Sequence, residues 1–178
     1  MRRSSRALQQ FDQLVQRCAC GQDRDVDAFL RAPSSSTWPL ADDTIDHTRE
    51  ILDTMHLLES AAIALGAAAL TSSVVRQARG INDELRVSGN DAAHLARRFH
   101  RSLLSACPND RMLELLAHEV SLTTPCGPPF AVGDAERDRC AIEHEVILDL
   151  IASGAPRREL ERSLRQHAYT SPLCSMGY

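Results

Sequence analysis

Along most of this chain the apolar residues recur three and four positions apart, the spacing that lines one face of a helix. No stretch alternates apolar with polar positions long enough to suggest a sheet. Leu8, Phe11, Leu14 and Val15 predict a helix from Ser5 to about Arg17, and a second short one is expected from Arg24 to Arg31. The segment "APSSSTWPLADD", with two prolines and a run of serines, interrupts the pattern and reads as a linker, with Trp38 docking back onto the body. After it, "DDTIDHTREILDTMHLLESAAIALGAAAL" carries the stripe Ile45, Ile51, Leu52, Met55, Leu58 and Ala62, with Asp42, Asp43 or Thr44 as cap.

Thr71 or Ser72 can cap the next helix, "SSVVRQARGINDELRVS", which "GND" ends. Asp91 opens a helix that holds "LARRFHRSLL" and runs to about Ala106, and Asn109 or Asp110 begins "DRMLELLAHEVSL". The proline-rich "TTPCGPPFAVGD" is a loop. "DAERDRCAIEHEVILDLIASG" and "PRRELERSLRQHAYT" close the chain as two helices parted by Gly154, Ala155 and Pro156. The pattern predicts an all-α bundle of about six to eight helices joined by short loops. It is divided into an N-terminal helical extension and linker (1–40), the bundle (41–170) and a tail (171–178).

Composition fits that architecture. In 178 residues, 43% are hydrophobic and only 4% aromatic, so Ala and Leu supply the core, as suits close helix packing. A formal charge of −4 argues against a surface devoted to nucleic acid. The basic "MRRSSR" is followed by an amphipathic segment, and "SAAIALGAAALTSSVV" is short of a bilayer span, so no signal, anchor or membrane partner is expected and the location is cytoplasmic. Cys18, Cys20, Cys107, Cys126, Cys140 and Cys174 then read as reduced thiols. Cys18 and Cys20 form a C-x-C pair able to take a soft metal, but no second pair stands at zinc-ribbon spacing.

Three of the seven histidines share a context. His100, His144 and His167 each lie within a turn of core-facing aliphatic residues, in "LARRFH", "IEHEVILDLI" and "LERSLRQH". Each alone would serve as a hydrogen-bonded core histidine. Together, on facing helices of a bundle, neutral imidazoles are ligands for zinc, nickel, copper or iron.

From about Asp46 to His167 the chain resembles the FadR-type C-terminal effector-binding (FCD) domain of GntR transcription regulators. The segments that carry the likeness are "LLESAAIALGA", "LARRFHRSLLSACPNDRMLELL", "IEHEVILDLIASG" and "LERSLRQH", in that order and spacing. The resemblance implies an antiparallel bundle that binds a divalent metal through three histidines and an aspartate, beside a pocket for a small carboxylate effector. His100, His144 and His167 fall on the histidine positions. The aspartate position, one turn before the first histidine, is Ala96, and neither Asp91 nor His94 has the phase to replace it directly. An arginine that would meet the effector carboxylate is replaced by Met55, with His56 beside it. The ligand pocket is thus expected around Met55, His56, Glu59, His94 and Ala96. Zinc is the foremost metal, with nickel, iron and manganese as alternatives.

The resemblance also leads one to expect a winged helix-turn-helix before the bundle. The residues ahead of Asp42 show no such pattern, so direct DNA binding is not expected. Three functions stay open: a stand-alone, homodimeric effector-sensing domain; an enzyme whose three-histidine metal keeps a position for water or substrate; or a structural bundle without metal. No nucleophile, phosphate-loop or paired-carboxylate motif assigns a catalytic residue. Glu143 and Glu145 flank a core-facing position and are expected to face solvent, and Glu59 to orient a ligand histidine.

Overall fold

The computed structural model describes residues 42–88, 91–122 and 133–171. Within them the chain forms six α-helices: α1 (Asp42–Gly66), α2 (Ser72–Val87), α3 (Ala92–Leu104), α4 (Asp110–Leu122), α5 (Asp134–Ala152) and α6 (Arg157–Thr170), with a 3-10 turn at Ala67–Ala69 after α1. There is no strand among the described residues, so the fold is all-α. The expected N-terminal helices, Trp38, the C-x-C pair, Cys126 and Cys174 lie outside the described residues.

Local signals set most boundaries. Thr71 accepts the Val74 N–H at 3.4 Å and starts α2; Asn109 Oδ1 accepts the Met112 N–H at 3.2 Å and starts α4. Glu136 reaches back to the Gly133 N–H at 3.2 Å, tying down the first turn of α5. That helix ends in a Schellman motif: Ala155 N–H bonds Leu150 O at 2.9 Å and Gly154 N–H bonds Ile151 O at 3.2 Å. Gly154 sits at φ 68°, a conformation that excludes most other residues. Pro156 then fixes the entry to α6.

Asp91 opens α3 as expected, without a side-chain cap bond. The long "AAIALGAAAL" helix stops at Gly66, and α3 stops at Leu104 rather than Ala106, because the end of α1 abuts the turn after α3. A Cβ on Gly66 would lie 2.7 Å from the Ala106 carbonyl carbon and oxygen, so only glycine permits that approach.

The packing closes on itself. α1 lies against α3, α3 against α2, α2 against α5, α5 against α6, and α6 against α1, while α4 packs on α1. Met55, Ala62 and Ile63 of α1, Leu85 of α2, Phe99 and Leu103 of α3, Leu116 of α4, Ile147 and Leu148 of α5 and Leu160 of α6 are almost wholly buried. Of the expected α1 stripe, Ile51, Met55 and Ala62 are buried and Leu52 and Leu58 half-buried, while the side chain of Ile45 lies outside the described residues. Arg49–Ala69 is long and apolar enough to cross a membrane by length and composition, yet half of its most apolar window is buried inside the bundle. A core helix gives the same signature.

Candidate metal centre

The ring of helices gathers its buried polar residues at the centre. On α3, His100 shares the inward face with Leu95, Ala96, Phe99, Leu103 and Leu104. On α5, His144 follows Cys140 and Ala141 and precedes Ile147 and Leu148. On α6, His167 stands with Leu160, Leu164 and Ala168. Helical periodicity alone therefore turns all three imidazoles inward. They are 4%, 0% and 2% exposed, and a histidine so buried needs partners for both nitrogens.

Those partners divide by nitrogen. The three Nε2 atoms face each other: His100 to His167 at 3.2 Å, His144 to His100 at 3.3 Å and His144 to His167 at 3.1 Å. The three Nδ1 atoms face oxygens: His144 meets Asn82 Oδ1 at 3.0 Å, His167 meets Glu143 Oε2 at 2.7 Å, and His100 lies 3.4 Å from Glu59 Oε1. The imidazole rings of His100 and His167 are nearly parallel, 11° apart, and His144 stands across them. Phe99 stacks on His144 with centroids 3.7 Å apart, which fixes the plane of that ring.

For His144 and His167 this arrangement determines the tautomers. The Asn82 amide nitrogen donates to Ala141 O at 2.9 Å, so its oxygen is the atom turned to His144 and must accept from Nδ1–H. Glu143 is held as an acceptor in turn, taking the Thr170 hydroxyl at 3.1 Å. Partial burial works to raise its carboxyl pKa, but the hydrogen bond and charge of His167, the Thr170 bond and Arg139 together hold it below the usual range. Glu59, itself 4% exposed, stands 3.4 Å from His100 Nδ1, an ion-pair contact rather than a hydrogen bond. With protons on Nδ1, the Nε2 atoms of His144 and His167 carry bare lone pairs, and lone pairs aimed at one point repel unless a proton on His100 Nε2 or a metal cation lies between them. Burial, and then the charges that His167 and His100 would carry, push the His144 pKa well below the ordinary value, which keeps it neutral and able to ligate.

The spacing fits a metal. Zinc–nitrogen bonds of about 2.0–2.1 Å at tetrahedral angles put nitrogens about 3.3–3.4 Å apart. Right angles of a facial octahedral set bring them to about 3 Å. The observed 3.1–3.3 Å lies between the two and admits either kind of ion. These histidines are the one group among the described residues whose donor atoms lie mutually close, within 4.8 Å.

The remaining expected residues are distributed unevenly. Ala96 is buried one turn before His100 and contributes a methyl group where the resemblance expects a carboxylate. Met55 is wholly within the core, and buried His56 meets Tyr169 edge-on at 5.4 Å. His94 is not brought to the centre: it is exposed, six residues before His100 and about 120° away round the helix. Burial, then Arg97 and Arg98, lower its pKa.

The expectation that Glu143 and Glu145 face solvent is corrected. Residues one step either side of a core position lie at the helix boundary, where neighbours pack. Glu143 there meets α6 through His167, and Glu145 meets α2 through Arg79 and, at 3.4 Å, Asn82. Asn82 itself was not expected as a site residue, although its phase with Ala78, Ile81 and Leu85 on α2 is the signal that could have found it. Cys140, fully buried, places Sγ 3.6 Å from His144 Nε2.

The described residues form an all-α ring of helices with three histidines converging in its core. The family model of the FCD domain matches residues 50–169, and the chain belongs to that family. FCD domains bind small-molecule effectors in GntR-type regulators. Curated proteins and solved structures yield no match.

Proposed function

We propose that this chain is a cytoplasmic small-molecule effector-binding domain of the GntR regulator type whose bundle core holds one divalent metal on His100, His144 and His167. The observation that carries this reading is the division of the six ring nitrogens, with two Nδ1 atoms hydrogen-bonded to oxygens, the third 3.4 Å from one, and three Nε2 atoms converging. Asn82, Glu59 and Glu143 orient the rings and increase their basicity, which is the work of outer partners at metal centres. Bound there, the metal would supply a Lewis-acidic point for an effector carboxylate. Phe99 and the surrounding aliphatic residues exclude water, and buried His56 and Glu59 give α1 a polar face beside the core.

Elemental analysis of protein purified without chelator, set beside His100→Ala, tests the reading. Close to one equivalent of metal is expected in the parent chain and much less in the variant. Absence of stoichiometric metal in the parent would sink it. Thermal shift of the metal-loaded protein against a panel of small carboxylates then identifies the effector class, since a ligand that binds only the folded state raises the transition temperature.

A further inference from the structure

We propose that Cys140 is the fourth protein ligand of this centre, its thiolate taking the place of the carboxylate missing at position 96. The inference rests on the three-histidine reading and adds to it a residue on α5.

Cys140 lies four residues before His144, the relation that puts two side chains on one face of a helix, one above the other. It is 0% exposed, as is His144. A buried cysteine is ordinarily a small hydrophobe, and burial alone says nothing of metal. The direction of its sulfur is the informative feature. Sγ lies 3.6 Å from His144 Nε2, the nitrogen turned toward His100 and His167, and not from Nδ1, which Asn82 occupies. In a tetrahedral site, bonds of about 2.3 Å to sulfur and about 2.05 Å to nitrogen separate the two donors by about 3.5 Å. The sulfur thus already stands at ligand spacing from one histidine. It meets the cluster through that histidine and stands outside the group whose donor atoms all lie within 4.8 Å of one another, so ligation requires Sγ to turn about its one side-chain torsion toward His100 and His167.

Binding forms a metal–sulfur bond and breaks the S–H bond, with the proton released to solvent and no change of oxidation state. Two consequences follow. One thiolate with three imidazoles favours zinc and other thiophilic ions over manganese or magnesium. A set of four protein ligands also resembles structural and sensing sites more than catalytic ones, and an effector carboxylate would then reach the metal only as a fifth ligand.

The full chain, stripped of metal, is titrated with cobalt(II) alone and followed by absorption. The parent protein is expected to show both the visible bands of low-symmetry cobalt and an intense near-ultraviolet thiolate-to-cobalt band. Cys140→Ser and Cys140→Ala are expected to lose the near-ultraviolet band, keep visible bands from the histidines, and bind at least roughly 10-fold more weakly, the lower end of what loss of an outer partner produces. A variant with the other five cysteines changed to serine must keep the band. Cobalt bound with no thiolate band in the parent, or a band unchanged in Cys140→Ser, overturns the proposal and leaves the three-histidine centre standing. No cobalt bound to the parent removes both. A parent spectrum without the band already overturns the proposal and the five-cysteine variant must keep the band, so a Cys140 variant that fails to fold does not protect the idea.

Discussion

Helices α3 and α5 each bring a histidine to the same point, and they differ one turn upstream. On α3 the residue four before His100 is Ala96, and on α5 the residue four before His144 is Cys140; both are buried on the inward face. Both positions stand one turn before an inward histidine, so the plainest difference between them is one of donor chemistry. A ligand position in such a bundle is defined by phase and depth, and more than one helix offers it. The loss of a carboxylate on α3 therefore does not oblige the centre to be open.

The largest expected effect comes from removing a shared histidine. Apparent zinc affinities of roughly 10–16 kcal/mol spread over four ligands put one ligand near 3 kcal/mol, or on the order of 100-fold. His167→Ala is expected to lose at least that much, measured by competition with a chromophoric chelator. Loss of helicity together with metal would show instead that the centre is needed for the fold. Next, Ala96→Asp in a Cys140→Ser background moves the fourth donor from α5 to α3. It should recover most of the lost affinity and shift preference toward harder ions, while destabilising the metal-free protein through a buried carboxylate. No recovery would mean that the two positions are not equivalent.

Asn82→Leu tests the tautomer argument. Without the Oδ1 acceptor, His144 is free to place its proton on Nε2, and metal affinity should fall by roughly 10–100-fold although no ligand has been removed. Unchanged affinity would show that Phe99 stacking alone orients the ring.

What the sequence disclosed follows from range along the chain. The helices and the inward phase of His100, His144 and His167 depend on spacings of three and four residues, which are visible locally, and the structure repeats them. Asn82 meets His144 across 62 positions, and no local pattern announces such a pair. Glu143 differs from expectation for a related reason: a residue beside a core position is exposed or paired according to which helix packs there, and that is decided by α6. Cys140 is at a legible spacing from His144, but spacing does not say where a sulfur points. Gly66 looks like one small residue in an alanine-rich run until the turn after α3 is seen against it.

That glycine supplies a control on α3 that touches packing and not chemistry. Gly66→Ala must push the Ala106–Cys107 backbone away from α1, at a cost of roughly 1–3 kcal/mol, read from denaturant unfolding of the metal-free protein. Metal affinity of the folded variant should remain near the parent value, since the disturbed turn follows Leu104 and lies beyond the histidine. A large fall in affinity would mean that the end of α3 sets the position of His100, and the contrast between the two helices would then be one of geometry as well as donors.

The smallest effect is expected from acid. His144 is neutral in the folded protein because burial, and then the charges His167 and His100 would carry, depress its pKa, whereas in the unfolded chain it titrates near about 6.5. Below that pH the unfolded state binds a proton that the folded state refuses, so stability falls as pH drops, by up to about 1.4 kcal/mol per pH unit for one group. The loss begins near the unfolded value and continues until the folded value is reached. Metal-free protein should therefore show a declining denaturation midpoint between pH 7 and 5, and His144→Gln should show a shallower decline. Equal slopes in the two proteins would place the titrating group elsewhere and leave the α5 side of the centre less distinct from α3 than its buried thiol and histidine suggest.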